Sequence, residues 1–231
     1  MILFKYKSIK DINIDRYIDG IPSYYVEKSK KMRQEGDRKL ELLSGYLLKE
    51  LLRELRIDDK IVIDVSKTGK PFLANSDLYF NVSHSKDTAL VVLSDVEIGC
   101  DIEKIDIAMD CLRIAKRFYA EDEYEYLLNI DDSKKRAMAF YKLWTMKEAF
   151  VKAIGIGLTM ELNAVSFIDR ESIDGKLIAG KLIDGESVDK EPFVNRIDCN
   201  GQNYRFVPQN DIEGFAFTIC IVNWTKILNF Y

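Results

Sequence analysis

The order of the predicted helices and strands limits the folds open to this chain. Leucines recur at helical spacing from Leu40 to Leu55, so residues 23–56 are predicted to be helical. Strands are predicted at 1–7, 61–65, 78–82 and 89–93. The remainder has helices predicted at 111–118, 121–128 and 134–154, then strands at 164–168, 176–183, 204–207 and 215–222. Two such blocks, 1–104 and 105–231, predict an α+β protein and leave open whether one unit was duplicated.

Composition argues against several classes of function. The net charge of −4 disfavours general nucleic-acid binding, which depends on surplus lysine and arginine. No apolar segment approaches the roughly 20 residues of a membrane helix, and the first seven residues lack the order of a signal peptide. The four cysteines have no CxxC spacing, which disfavours a zinc site. We therefore expect a cytoplasmic protein with reduced thiols, which binds neither nucleic acid nor membrane.

Asp101 and Glu103 lie two residues apart, after the apolar segment 89–93. Side chains at this spacing point to the same face of a strand, so both carboxylates are predicted to project together from a strand end. Two like charges this close repel each other unless a cation lies between them. Oxygen ligands alone suit Mg²⁺, which takes further ligands from phosphates and water. A solvated strand end without a metal is the other interpretation.

His84 is the only histidine and lies in the segment 81–85, which reads Asn-Val-Ser-His-Ser and is predicted to be a short polar turn. A single histidine is often structural or merely exposed. Because two hydroxyls flank it, the alternative is that it donates a hydrogen bond to a phosphate. A Ser-His-Asp triad is excluded, since the serine adjoins the histidine and does not lie on a G-x-S-x-G turn.

Trp144, Glu148 and Lys152 are each four residues apart and share one face of a predicted helix. A Glu–Lys pair at this spacing is commonly a surface ion pair worth about 0.2–0.5 kcal/mol. Trp144 on the same stripe indicates a partly enclosed face, where Glu148 would add a third carboxylate and Lys152 would meet an anion. Gly155 and Gly157 are predicted to end the helix.

Two basic segments are further candidates for anion binding. The loop Thr68-Gly69-Lys70-Pro71 is predicted to be stiff and to present its lysine, and it lacks the spacing of a Walker loop. Lys28, Lys30, Lys31 and Arg33 cluster near the start of the first long helix. Such a cluster is commonly a solvated face, but it also suits a doubly charged phosphate.

Three of these segments, 81–85, 99–104 and 144–152, resemble in order and spacing the 4′-phosphopantetheinyl transferases, and more closely their larger, Sfp-type group. The resemblance covers most of the chain. It implies a pseudo-twofold monomer of two similar α+β halves, with coenzyme A and Mg²⁺ in the cleft between them. Such enzymes move phosphopantetheine from coenzyme A to a serine of an apo acyl or peptidyl carrier protein, releasing 3′,5′-adenosine bisphosphate.

The resemblance also implies roles for individual residues. Asp101, Glu103 and Glu148 would hold Mg²⁺ against the pyrophosphate. Coenzyme A would be contacted by Lys28, Lys31, Thr68, Gly69, Lys70, Pro71, Ser83, His84 and Lys152. Leu42 departs from the family pattern, because a small hydroxyl residue is frequent there, and Ser44 is not assumed to replace it.

The chemistry of phosphoryl transfer is consistent with these roles, because its catalysis consists mainly of positioning and charge neutralisation. We expect Glu148 to accept the proton of the attacking serine, directly or through water, with Lys152 as the orienting cation. Two alternatives remain: a Mg²⁺-dependent phosphohydrolase or nucleotidyltransferase that uses the same carboxylates, and a non-catalytic module that binds carrier proteins.

Overall fold

The computed structural model describes residues 1–57, 61–155, 161–168, 177–178, 181–182, 193–199, 201–209 and 212–222. Its helices are α1 (Ser23–Ser29), α2 (Glu35–Glu54), α3 (Cys111–Phe118), α4 (Glu121–Leu128) and α5 (Ser133–Ile154), with 3₁₀ helices at Ile14–Gly20 and Leu162–Ala164. Its strands are β1 (Ile2–Ser8), β2 (Ile63–Val65), β3 (Pro71–Leu73), β4 (Tyr79–Ser85), β5 (Thr88–Ser94), β6 (Ile98–Lys104), β7 (Leu177–Ile178), β8 (Lys181–Leu182), β9 (Arg196–Cys199), β10 (Gln202–Gln209) and β11 (Phe215–Val222).

Two antiparallel sheets organise the described residues. One has the strand order β1-β5-β4 and the other β6-β11-β10-β9, while β2 with β3 and β7 with β8 form separate two-stranded pairs. All seven residues of β5 are buried. One face of β5 packs in a core with α1 and α2, and Leu90 and Val92 of the other face pack against β6 and β11. Burial on both faces explains why the β5 sequence is a continuous apolar segment.

The second sheet carries the C-terminal helices. Helix α5 packs on β6 and β11, and its aromatic residues share a core with α3, α4 and β10. Helices α3 and α4 have the predicted bounds. The mixed α+β class is therefore confirmed, whereas the pseudo-twofold relation and the division after residue 104 stay predictions. Strand β6, which precedes that division, pairs with β11.

The helix predicted over 23–56 is two helices, and this prediction was wrong at its centre. Gln34 has an extended backbone with φ −96° and ψ 139°, so a new helix begins at Glu35. Glu35 and Asp37 lie in the first turn of α2, where negative charge interacts favourably with the helix dipole. The intervening segment 30–34 is mostly charged and has few apolar side chains to bury.

Two further local predictions were wrong. Residues 81–85 belong to β4, and are not a turn after a strand. The strand predicted at 164–168 is replaced by the end of a 3₁₀ helix and a single bridge between Ile168 and Phe193. Gly155 ends α5 in the left-handed conformation, with φ +75°, whereas Gly157 lies outside the described residues.

No helix among the described residues is both long and apolar enough to cross a membrane.

Candidate active site

A cavity of about 470 Å³ collects most of the predicted site residues. It is lined by Tyr25, Lys28, Glu41, Pro71, Asn81, Val82, Ser83, His84, Asp101, Glu103, Trp144, Glu148 and Lys152. A second cavity, of about 280 Å³, shares part of this lining and adds Thr68, Gly69 and Lys70. Lys31 lines neither of these two cavities. The predicted stripe of Trp144, Glu148 and Lys152 is confirmed, since all three face the larger cavity.

Gly99 allows β6 and α5 to meet at this cavity. A Cβ atom at Gly99 would lie 2.1 Å from the carbonyl oxygen of Ala149 and 2.4 Å from the backbone nitrogen of Ala153. Any larger residue would therefore force the strand and the helix apart. The close approach brings Asp101, two residues along β6, to the same cavity wall as Glu148.

Strands β4 and β6 meet through side chains at the junction of the two sheets. Three side chains of β4 accept hydrogen bonds from backbone N–H groups of β6: Asn81 Oδ1 from Cys100 (2.8 Å), Ser83 Oγ from Ile102 (3.3 Å) and Ser85 Oγ from Lys104 (3.0 Å). Alternate residues of β4 share one face, so their spacing matches alternate N–H groups of β6. We call these three hydrogen bonds the β4–β6 seam.

The two serines of the seam also hold the two acids. Ser83 Oγ donates to Asp101 Oδ1 (2.7 Å) and Ser85 Oγ donates to Glu103 Oε2 (2.6 Å). The S-x-S and D-x-E pairs match in this way because both have the two-residue period of a strand. The predicted shared face of Asp101 and Glu103 is thus confirmed. A contact between Ser83 and coenzyme A stays a prediction, since its hydroxyl proton is used within the protein.

Asp101 keeps one oxygen without a partner. Its Oδ1 atom lies 2.7 Å from Lys152 Nζ, and this ammonium also donates to Ser83 Oγ at 3.0 Å. The Oδ2 atom of Asp101 is buried and has no hydrogen-bond partner among the described residues. Leaving such an acceptor unpaired costs about 1–3 kcal/mol. Asp101 is therefore able to accept another donor or a cation.

The acids of the cavity wall influence one another's protonation. Burial raises the pKa of Glu148, and the charge of Asp101 raises it further, against the opposing effect of Lys152. Burial likewise raises the pKa of Glu103, which the hydrogen bond from Ser85 lowers and the charge of Asp101 raises. Burial lowers the pKa of Lys152, but neighbouring negative groups, Asp101 first, leave it raised overall. Negative charge on this wall is thus costly without a compensating cation.

The predicted metal site is not assembled as a cluster. No group of three histidine, cysteine or carboxylate side chains within the described ranges is close enough to hold a metal ion, and the ammonium of Lys152 holds Asp101 instead. The residues nevertheless fit a hard cation. Asp101 Oδ2 has no partner among the described residues, and burial, with the charge of Asp101 as a further cause, raises the pKa of both glutamates. Such a cation would take its other ligands from phosphates and water.

Lys70 is directed into the joint between β6 and α5. Its Nζ atom donates to the carbonyl oxygens of Ile98 (3.2 Å) and Ala153 (3.4 Å), and burial lowers the pKa of this ammonium. Gly69, with φ +90°, provides the turn before it. The loop is therefore anchored to the site, while its contact with coenzyme A stays a prediction.

Sequence reasoning missed Glu41 and Tyr25, which lie where α1 and α2 form one end of the larger cavity. Glu41 has a side chain only 7% exposed, and its Oε1 atom lies 2.8 Å from Lys28 Nζ. The hydroxyl of Tyr25 is buried without a hydrogen-bond partner in the described part of the chain. The signal for Glu41 was a single acid within the otherwise apolar segment 40–43.

Gly45 fixes the position of this end of the cavity. A Cβ atom there would lie 2.6 Å from Ile21 Cγ2 and 2.7 Å from Tyr25 Cβ, so the glycine lets α1 pack closely on α2. Ser44 Oγ donates to the carbonyl of Leu40 within the helix at 2.8 Å. Its hydroxyl is therefore used by α2 itself, and Leu42 is buried in the core.

A second lysine of α5 forms a closed ion pair on the opposite side of the helix. Lys147 Nζ lies 2.7 Å from Glu123 Oε2, and the two side chains are 1% and 0% exposed. The same ammonium donates to the carbonyls of Leu162 (2.8 Å) and Val165 (2.7 Å). Glu123 Oε1 accepts from the backbone N–H of Phe167 at 2.9 Å. This pair thus anchors residues 162–167 beside α4 and α5.

Comparisons with known proteins agree with the geometry of the site. Residues 97–205 match the sequence profile of the 4′-phosphopantetheinyl transferase superfamily. The chain is 32% identical to 4′-phosphopantetheinyl transferase gsp of Aneurinibacillus migulanus over 65% of each chain. It is 36% identical to 4′-phosphopantetheinyl transferase psf-1 of Bacillus pumilus, over 61% of this chain and 59% of the relative.

A third relative is matched over a slightly larger share of its length. The chain is 33% identical to 4′-phosphopantetheinyl transferase Sfp of Bacillus subtilis strain 168, over 66% of this chain and 68% of the relative. Across the three relatives the match spans 59% to 68% of their length. The match to the family profile, over residues 97–205, includes Asp101, Glu103, Glu148 and Lys152.

Proposed function

The chain belongs to the 4′-phosphopantetheinyl transferase superfamily, and we propose on this premise that it is a 4′-phosphopantetheinyl transferase. Its substrates are coenzyme A and an apo acyl or peptidyl carrier protein. The reaction attaches the 4′-phosphopantetheine group to a serine of the carrier and releases 3′,5′-adenosine bisphosphate. The alternative of a phosphohydrolase or nucleotidyltransferase receives no support from the relatives.

The observation that carries the proposal is the unpaired oxygen of Asp101 in a wall of three acids. Asp101 Oδ2 is buried without a partner in the described residues, and Glu103, Glu148 and Lys152 line the same cavity. A pyrophosphate bound alone against three carboxylates would be repelled. A bound Mg²⁺ would attract both the carboxylates and the pyrophosphate and would offset this repulsion. This arrangement supports a substrate that carries a metal-bound pyrophosphate.

Mg²⁺ would be held by Asp101, Glu103 and Glu148, and when bound it would neutralise the pyrophosphate. Ser83 and Ser85 fix the directions of two of these carboxylates through their hydrogen bonds. Substituting residues that orient metal ligands in this way typically lowers metal affinity or activity 10- to 100-fold.

Glu148 is the candidate base for the hydroxyl of the carrier serine. Burial and the charge of Asp101 raise its pKa, which moves this carboxyl closer to the pH at which a general base works best. Lys152, four residues along α5, keeps its positive charge, because neighbouring acids raise its pKa overall. It would stabilise the negative charge that develops on the leaving phosphate.

Coenzyme A would occupy the two adjoining cavities. Lys28, Lys31, Lys70, Ser83, His84 and Lys152 would contact either its phosphates or its adenine end, and the loop of Thr68, Gly69 and Pro71 would border its nucleotide. The four cysteines are free, and three of them are buried, which is consistent with a reducing cytoplasm. We expect a monomer, as the family resemblance implies.

The test is mass spectrometry of several apo carrier proteins after incubation with this protein, coenzyme A and Mg²⁺. A mass increase of one phosphopantetheine on a carrier, dependent on its acceptor serine, is expected. A carrier whose acceptor serine is replaced by alanine is the control. Cleavage of coenzyme A without any change in carrier mass would indicate a hydrolase, and binding of the carrier without either reaction would indicate a non-catalytic module.

A further inference from the structure

An acid lies at the end of the cavity opposite the proposed metal site. Glu41 of α2 faces Lys28 of α1, with Oε1 2.8 Å from Nζ and a side chain 7% exposed. Both residues line the cavity that also contains Asp101 and Glu148. Close packing of the two helices at Gly45 holds this end in place. Lys28 is therefore already neutralised by a partner within the protein.

The ion pair with Glu41 weakens the attraction of Lys28 for an anion in the cavity. Besides its pyrophosphate, coenzyme A carries one further phosphate, on the 3′ oxygen of the ribose. With the pyrophosphate near Asp101 and Lys152, Lys28 is the remaining lysine of the larger cavity. A phosphate at Lys28, whose side chain is 41% exposed, would meet the buried carboxylate of Glu41 at short range, where Coulomb repulsion is strongest.

The cationic side chains near Lys28 but outside the cavity do little to offset the negative charge of Glu41. Lys31 and Arg33 are exposed and do not line the cavity, so salt screens their attraction for a phosphate inside it. Lys30 is exposed and pairs with Glu27 at 2.6 Å. The end of the cavity at Lys28 thus has little net positive charge to bind a phosphate monoester.

The phenol of Tyr25, a neutral group at this end of the cavity, is suited to hydrogen-bond a ribose hydroxyl. Tyr25 lines the cavity, and its buried hydroxyl has no hydrogen-bond partner among the described residues. The charge of Glu41 is one of the causes that raise the pKa of Tyr25, after burial, so this phenol stays protonated as a donor. A ribose hydroxyl can both donate to a carboxylate and accept from a phenol.

We propose that Glu41 is a specificity-determining residue that makes this protein nearly indifferent to the 3′-phosphate of coenzyme A. The protein then uses 3′-dephospho-coenzyme A at a rate comparable to that of coenzyme A. This inference rests on the proposed transferase function, since it concerns the nucleotide end of the same substrate.

The experiment compares kcat/KM for coenzyme A and for 3′-dephospho-coenzyme A with one carrier protein at fixed Mg²⁺. The wild-type ratio of the two values is expected to be below ten, and a ratio of ten or more overturns the inference. This measurement needs no variant. If no carrier is modified with either substrate, it is the proposed function that has failed, and the inference falls with it.

Glu41→Gln sharpens the test, because it keeps a hydrogen-bond acceptor for Lys28 and removes the negative charge. The preference for coenzyme A should rise at least fivefold in this variant. Glu35→Gln is the matched control: it makes the same charge change on the same helix, at an exposed ion pair with Lys39. A change in preference that is less than fivefold larger in Glu41→Gln than in Glu35→Gln would overturn the role of Glu41.

Discussion

Two lysines of helix α5 each pair with a carboxylate of another element, and the two pairs have different environments. Lys147 and Glu123 are 1% and 0% exposed, and hydrogen bonds to Leu162, Val165 and Phe167 use their remaining capacity. Lys152, five residues further along the helix, and its partner Asp101 are 28% and 5% exposed. In this second pair, Asp101 Oδ2 has no partner within the described residues.

The difference in exposure and hydrogen bonding indicates that Lys147–Glu123 is structural, whereas Lys152–Asp101 is able to bind a ligand. A fully buried pair with every hydrogen bond made can only hold the structure, and breaking it typically costs 3–5 kcal/mol. A pair with an unused acceptor and an open side can exchange its partner for a ligand. Two lysines of one helix therefore have different roles, and the number of satisfied hydrogen bonds in each lysine–carboxylate pair distinguishes them.

The largest effect on activity is expected at Asp101. Asp101→Ala removes the carboxylate that orients Lys152 and would bind the metal, so carrier modification should fall at least about 10³-fold. The free energy of unfolding should change by less than about 2 kcal/mol, because Lys152 can still reach Ser83 and solvent. Turnover and urea unfolding measure the two quantities, and Asp95→Ala, at an exposed ion pair, is the control. Wild-type turnover at saturating Mg²⁺ would remove Asp101 from the site.

Glu148→Gln separates proton transfer from metal binding. Loss of a general base typically lowers rates 10²- to 10⁴-fold, and we expect a decrease in kcat of this size that persists when Mg²⁺ is raised to saturation. Binding of coenzyme A, followed by calorimetry, should survive because the lysines remain. Glu125→Gln, on an exposed position of α4, controls for the charge change. Full recovery at high Mg²⁺ would leave Glu148 as a ligand only.

Lys147→Met should show the opposite pattern. It leaves Glu123 buried without its cation, so the free energy of unfolding should fall by about 3–5 kcal/mol, while the folded fraction keeps most of its activity. Lys152→Met is the matched comparison. Asp101 keeps its hydrogen bond from Ser83 and borders an open cavity, so the loss of stability should be smaller than in Lys147→Met, while activity should fall at least about 10²-fold. Denaturant unfolding and kcat on both variants give the result. Equal stability losses would mean that the two pairs do not differ as described.

The smallest of these effects concerns Ser85, which holds Glu103 at 2.6 Å. Ser85→Ala should raise the Mg²⁺ concentration needed for half-maximal rate about 10-fold, within the range usual for residues behind metal ligands. The rate at saturating Mg²⁺ should change less than threefold. Ser85→Thr retains the hydroxyl and should restore the Mg²⁺ dependence. An unchanged Mg²⁺ dependence in Ser85→Ala would show that Glu103 needs no support from this hydroxyl.

The sequence predicted those features that depend on local periodicity. The two-residue spacing of Asp101 and Glu103 and the four-residue spacing of Glu148 and Lys152 determine which side chains share a face, and the structure has them together. The bounds of α3 and α4 follow from equally local patterns.

Features that depend on pairing across the chain were not predicted. The polar segment 81–85 is predicted to be a turn, but it belongs to β4, and its side chains bond to a strand 19 residues later. Asparagine and serine are common in turns, so local composition does not reveal this pairing. Glu41 is a single acid among leucines, and only the packing of α1 identifies Lys28 as its partner. Glu123 and Lys147 belong to different helices, so no local spacing connects them.

The β4–β6 seam has a further consequence, for self-association. A strand whose backbone N–H groups face outward is a template on which another chain can add a strand. On this side of β6, the N–H groups of Cys100, Ile102 and Lys104 are already bound by β4 side chains, and the carbonyl of Ile98 by Lys70. The hydroxyls that orient the acids thereby also close a sheet edge. Variants that lack them would expose that edge and become more prone to aggregate during folding.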